Sequence, residues 1–346
     1  MKFALFTHIA WPEGTDQKKL IDEAAEQVIH GESLGFHSAW IAEHHFSRYG
    51  IGSSPLVVAG AIAAQTKAIR LGTAVLIPSL HNPIRLAEDT ATVDVISGGR
   101  LDVGFGRGSA AYEFNAYSID QTDNRTMFVE GIQTIKGLWT TPDYSHNGKH
   151  YKVDHATLTP SPIQKPHPPV YIAVSRTIET LKYVATTGHP ICIGVTSDTA
   201  TALALCQQYE ELSQESGHNV PMSEIPFFRY FYVGETEEQV RNDTRPTLRW
   251  AADMVGWRST FKVGSEIGHR IEDWRSTRTD TAPDLLHLSK NRAVFGTPEQ
   301  IIAQLKELQS QGIGYFGCNF AFGGMPHDKI MKSMELFSKE VMPHFA

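Results

Sequence analysis

Short apolar runs alternate along this chain with stretches whose apolar positions recur every three or four residues. The first run, KFALFT, reads as a strand, and DQKKLIDEAAEQVIHGESLG after it as a helix. Leu20, Ala24, Val28 and Ile29 share one face of that helix, and Gly35 stops it. The pair recurs as FHSAWIAE with PLVVAGAIAAQTK, and as IRLGTAVLIP with NPIRLAEDTATVDVIS, where Asn82 caps the helix and Pro83 opens its first turn. GRLDVGFG, PPVYIAV, PICIGV, FFRYFYV and IGYFGCNFAF supply further strands, each followed by a helical pattern.

About eight strand–helix repeats predict a (β/α)8 TIM barrel. A doubly wound sheet is the alternative, but its dinucleotide fingerprint should follow the first strand, where HIAWPEG stands instead. A barrel needs about 250 residues, so residues 1–346 read as one barrel domain with insertions. The clearest, at about 256–292, is polar, rich in Gly and Pro, and falls between the seventh and eighth strands. A lid is one reading of it and a solvated excursion the other.

Composition narrows the function classes. A net charge of −7 argues against a nucleic-acid surface. Cys192, Cys206 and Cys318 have no disulfide or zinc-knuckle spacing. No apolar run has membrane-span length and the first residues read as a strand, so a soluble cytoplasmic protein is expected.

The run AWIAEHHFSRYG ends the second predicted strand with Glu43, His44 and His45. A metal site, a catalytic base and plain rim polarity are the three readings. Adjacent strand residues face opposite ways, so the two histidines should diverge, and EHH alone is a poor metal motif; no metal is expected. A histidine at the C-terminal rim can exchange a proton near neutral pH. GFGRGSAAYEF sets Arg107 among glycines after the fourth strand, which suits an anion such as phosphate, although glycines also simply end strands. AVSRTIETL puts Ser175, Arg176 and Thr177 at a helix start, either as a phosphate site or as an ordinary cap.

Over nearly its whole length the chain resembles the bacterial-luciferase-like flavin monooxygenases. The likeness is carried by AEHHF, by LGTAVLIPSLHNPIRLAEDTATVDVISGGRLDVGFGRG, by Asn124–Arg125, by Ala173–Ser175 and by VFGTPEQIIAQL, and it runs closest to the luciferase catalytic subunit. The resemblance implies a (β/α)8 barrel that takes reduced FMN from a separate flavin reductase. Oxygen would add at flavin C4a to give a (hydro)peroxyflavin that oxidises an aldehyde, ketone or similar small molecule. It implies His44 as the base with Glu43 beside it, and Arg107, Arg125 and Ser175 on the FMN phosphate with Val174 alongside. It also implies a cis Ala74–Val75 peptide under the flavin ring, Trp250 at the substrate and a homodimer. Gly106 replaces a reactive luciferase cysteine, and SAAYEFNAY differs from luciferase, so light emission and long-chain aldehydes are not carried over. The competing readings are an F420-dependent oxidoreductase, a flavin-binding protein without catalysis and, disfavoured by ligand spacing, a metal-dependent barrel hydrolase.

Overall fold

A computed structural model describes residues 1–174, 178–278 and 283–345. Its strands are β1 (Lys2–Thr7), β2 (Ser38–Ile41), β3 (Arg70–Thr73), β4 (Leu101–Phe105), β5 (Tyr144–Asn147), β6 (Lys152–Ala156), β7 (Val170–Ala173), β8 (Ile191–Cys192), β9 (Phe227–Val233), β10 (Ala293–Gly296) and β11 (Tyr315–Asn319). The helices are α1 (Gln17–Ser33), α2 (Pro55–Ala63), α3 (Pro83–Ser97), α4 (Ala111–Ala116), α5 (Asn124–Thr140), α6 (Ile178–Ala185), α7 (Thr199–Glu215), α8 (Glu237–Arg258), α9 (Ile271–Thr277), α10 (Leu285–Asn291), α11 (Pro298–Ser310) and α12 (His327–Glu340). The Asn82 cap forms as expected, accepting from the N–H groups of Ile84 and Arg85.

Nine strands make one sheet in the order β10-β9-β11-β1-β2-β3-β4-β7-β8, parallel throughout. The sheet is curled. Just past β8, a parallel bridge joins Ile193 back to Phe227 at the start of β9. Ile193 N–H donates to the Pro226 carbonyl, and Phe228 N–H to that of Ile193, both at 2.9 Å. Strands covered on both faces should be apolar at every position; all seven residues of β9 and all five of β4 and of β11 are buried.

The concave side is packed with aromatic rings. Trp40 is fully buried, edge-on to Tyr171 at 5.1 Å and to Phe228 at 5.7 Å. Its indole N–H donates to the Ser38 hydroxyl at 3.0 Å. Gly72 is required beside it, because a Cβ there would lie 2.2 Å from the indole.

Three features differ from the sequence reading. β5 and β6 form a separate antiparallel hairpin, missed because their alternation is polar and largely exposed. The segment after α8 carries two short helices, α9 and α10. The short strand β10 then stands before the expected helix α11.

The two ends of the sheet are built differently. At the strands' N-terminal ends, Arg70 grips the buried Asp102 with two hydrogen bonds, 2.9 and 2.6 Å. Arg100 donates to Ser97 O, Thr66 Oγ1, Ile69 O, Ala63 O and Thr66 O. At the C-terminal ends the connections widen into loops around a cleft.

Candidate functional site

The last rung between β1 and β2 pairs Thr7 with Ile41, and Ala42 N–H still donates to the Thr7 carbonyl. Glu43, His44 and His45 therefore lie beyond the strand, in a loop rather than on alternating strand faces. That loop folds back onto the end of β1, with Ile51 N–H donating to Ile9 O at 3.0 Å. Gly50 permits the approach, since a Cβ there would be 2.3 Å from the His8 carbonyl oxygen. The two histidines still diverge, now by loop geometry.

His44 lines a cleft of about 280 Å³ over the C-terminal strand ends. Around it stand His8 past β1, Ala74 and Val75 past β3, Gly106 to Ala110 past β4, Val174 past β7 and Gly194 to Ser197 past β8. The Ala74–Val75 peptide bond is cis. The His44 ring lies over His8 at 5.5 Å and edge-on to Tyr49 at 4.8 Å. Arg258, the last residue of α8, brings Nη1 to 3.4 Å from His44 Nδ1, and its guanidinium carbon stands 4.0 Å from the Tyr49 ring centroid. Glu113 of α4 places Oε1 3.9 Å from the same Nδ1 and also accepts His45 N–H at 3.1 Å. Burial first, then Arg258 and His45, hold His44 well below the usual imidazole range. Burial, His44 and Arg258 do the same to His8. Burial pushes the Glu113 carboxyl up.

His45 belongs to a second group. Glu43 Oε1 lies 2.9 Å from Nε2 of both His45 and His81, and Glu43 Oε2 accepts Ile77 N–H at 3.3 Å. A carboxylate can only accept, so both imidazoles donate through Nε2. Burial raises the Glu43 pKa, but the two histidine hydrogen bonds outweigh it and hold the carboxyl below its ordinary value. The ligand-capable atoms of Glu43, His45 and His81 all lie within 4.8 Å of one another. His81 comes from the turn before α3, a partner that the EHH spacing could not supply.

The remaining expected residues separate. Arg107 and Val174 line the cleft. Arg125 is exposed in the first turn of α5 and is not part of the cleft lining. Ser175, Arg176 and Thr177 lie outside the described residues. Trp250 is half-buried one layer back, packed on the cluster of Tyr49, Met254, Trp257 and Ile271. His8, Tyr49, Glu113 and Arg258 were missed. Arg258 is 214 residues from His44, and no local pattern couples them.

The segment after α8 packs onto the histidine loop. Glu266 is fully buried, and its Oε1 accepts from the Ser47 hydroxyl and from Arg48 N–H, each at 2.6 Å. Trp257 and Trp274 stack at 5.7 Å. A second cavity of about 260 Å³, walled by Tyr230, Leu248, Val255 and Leu288, meets the cleft at Thr196. A larger hollow of about 630 Å³ between α8, α10 and α11 shares no residue with the cleft, so volume alone does not mark the site.

The luciferase-like monooxygenase family model matches residues 1–314. The chain belongs to the luciferase-like monooxygenase family. It is 28% identical to the oxygenase component of a flavin-dependent trigonelline monooxygenase from Acinetobacter baylyi, covering 100% of this chain and 96% of that one. It is 26% identical to the alkanal monooxygenase alpha chain of the Kryptophanaron alfredi symbiont, covering 99% and 98%. Among solved structures, monooxygenase RslO1 from Streptomyces bottropensis superposes with a TM-score of 0.86 at 25% identity over 100% of both chains. An F420-dependent secondary alcohol dehydrogenase shares the fold at 19% identity, with a TM-score of 0.78 over 100% and 99%. Among the described residues no helix is long and apolar enough to cross a membrane.

The cleft suits a flavin mononucleotide by its chemistry. Ala74, Val75, Val174 and Phe6 offer apolar faces for a flat ring. Arg107, the turn around it and the hydroxyls of Ser109, Thr196 and Ser197 offer donors for a phosphate.

Proposed function

We propose that this protein is the oxygenase component of a reduced-FMN-dependent monooxygenase, supplied with flavin by a separate reductase. Reduced FMN, when bound, would activate molecular oxygen for transfer to a small aldehyde, ketone or similar substrate. The observation that carries the reading is His44, held neutral in one cleft whose lining also includes Ala74, Val75 and Arg107. Arg107 and the Gly106–Ala110 turn would hold the phosphate, with Val174 beside it and Ser175, Arg176 and Thr177 completing the set. Arg125, outside the cleft lining, is left out. Ala74 and Val75 would support the ring. His44 would move the proton, and Glu43 would hold the loop on which it rides. The substrate would enter the cavity beyond Thr196, with Trp250 supporting it from α8.

The bridge between Ile193 and Phe227 supports closure of the sheet as a (β/α)8 barrel. The buried Glu266 contact supports a lid in the 256–292 segment. A homodimer in the cytoplasm is part of the same reading.

The test is product analysis after incubation with reduced FMN, oxygen and a panel of aldehydes, ketones and sulfonates. Oxygenated product supports the reading. Hydride transfer with reduced F420 and no oxygen uptake would replace it with the deazaflavin alternative, and FMN binding without product would indicate a carrier.

A further inference from the structure

Nδ1 of His44 has two neighbours of opposite character, and the ring nitrogens are not interchangeable. Arg258 Nη1 stands at 3.4 Å and Glu113 Oε1 at 3.9 Å. Nε2 has no partner among the described residues. A guanidinium only donates, so with Arg258 seated Nδ1 accepts and the proton of the neutral ring sits on Nε2. A carboxylate only accepts, so if Glu113 became the partner Nδ1 would carry the proton and Nε2 would present a lone pair. A carboxylate on Nδ1 is the general way in which an imidazole is oriented as a base.

We propose that Arg258 and Glu113 are alternative partners of His44 Nδ1 and select which nitrogen of the ring carries the proton. Both are positioning residues, and the proposal rests on the reading of His44 as the proton-handling group. With Arg258 seated, His44 is a donor through Nε2. With Arg258 withdrawn, His44 is a base at Nε2 backed by Glu113. The exchange moves one proton between the two nitrogens, by way of a group in the cleft or water, and no electrons.

Two further observations give the exchange a place in the fold. Arg258 is the last residue of α8, so it sits where the chain enters the segment that Glu266 ties down over Ser47 and Arg48. Its guanidinium is stacked on Tyr49, the ring that also lies edge-on to His44. Movement of the segment would therefore reach His44 through one side chain. The other groups facing the ring are His8 past β1, Tyr49, Glu43 and His45 on its own loop. His8 is itself kept uncharged by burial, and His45 is bonded to Glu43. Arg258 and Glu113 are thus the charged neighbours at Nδ1 itself.

Nitrogen-15 NMR of flavin-free, histidine-labelled protein reads the tautomer directly, with His44→Gln assigning the signal. Wild type should show His44 protonated on Nε2. Arg258→Leu should move the proton to Nδ1, and Arg258→Lys, which still donates, should retain the wild-type pattern. Adding Glu113→Gln to Arg258→Leu should abolish the Nδ1 preference. In turnover, Arg258→Leu should shift the acid limb of the pH profile of kcat/KM upward by about one unit, because a cation beside the ring has been removed. An unchanged tautomer in folded Arg258→Leu overturns the proposal, as does a Lys variant that behaves like the Leu variant. If the tautomers move as stated while His44→Ala retains full product formation, the partner assignment stands and the role given to His44 in the reaction falls.

Discussion

The two ends of the sheet use the same residue types to opposite effect. At the N-terminal end Arg100 has five oxygen acceptors and Arg70 has both oxygens of Asp102. At the C-terminal rim Arg48, although stacked on Trp11, leaves buried Nε and Nη1 without a hydrogen-bond partner among the described residues, and Glu266 leaves Oε2. His44 is bracketed there by a cation and a carboxylate at long range. A buried polar group normally finds a partner, and leaving it without one costs about 1–3 kcal/mol. The N-terminal end is therefore built for stability. The rim keeps polar atoms without a protein hydrogen-bond partner around the cleft, as a surface that receives a ligand would.

This contrast can be broken from either side. The largest effect should come from His44→Ala, which removes the proposed proton carrier. Product formation should fall about 10²–10⁴-fold, with flavin affinity little changed. His45→Ala, which unpairs the Glu43 group, should act chiefly by lowering stability. Turnover lost in a folded His45 variant and kept in the His44 variant would reverse the assignment. At the other end, Asp102→Ala strands Arg70 and should lower unfolding free energy by about 2–4 kcal/mol, somewhat less than for a wholly buried pair because Arg70 is partly exposed. Activity per folded molecule should not change, and denaturant titration beside a specific-activity measurement checks both. A large loss of kcat without loss of stability would mean that the N-terminal end is not merely structural.

Arg107→Ala should be smaller. One charge-assisted fork is worth about 1.5–3 kcal/mol, so reduced FMN should bind roughly ten- to a hundredfold more weakly while riboflavin is nearly unaffected. Equal losses for the two flavins would remove Arg107 from the phosphate. The smallest effect concerns pH. His8 and His44 are held neutral by burial, and burial with Lys136 lowers His189 to about 4. Unfolding releases these rings to an ordinary value of about 6.5, so the unfolded chain takes up their protons first. Their contribution to stability is complete above about pH 6.5 and is lost as pH falls through the folded values. His81, raised by Glu43 against the effect of burial, opposes this. The melting temperature should still drop between about pH 7 and pH 5, and a rise would show that the Glu43 group dominates.

Much of this was legible in the sequence because it is local. Strand apolarity, the Asn82 cap and the glycines around Arg107 are each written in a few neighbouring residues, and they set the parallel α/β plan and the rim. The motif Glu43-His44-His45 announced chemistry without dividing its parts. The division was made by the end of β2 at Ile41: past the last rung the backbone is free of the two-residue period, and the loop then chose the faces. The β5–β6 hairpin was hidden because its alternation is polar and exposed, and β10 because it is only four residues long. Arg258, Glu113, His8 and His81 were hidden for a different reason. Each is an ordinary residue in its own segment, and acquires meaning only when α8, α4, β1 and the turn before α3 converge on one ring or one carboxylate. By itself the sequence determined which residue types stand at each strand end. Only the tertiary structure decided which of them meet, because the contacts that set a histidine's charge and tautomer run through space between elements that are distant along the chain.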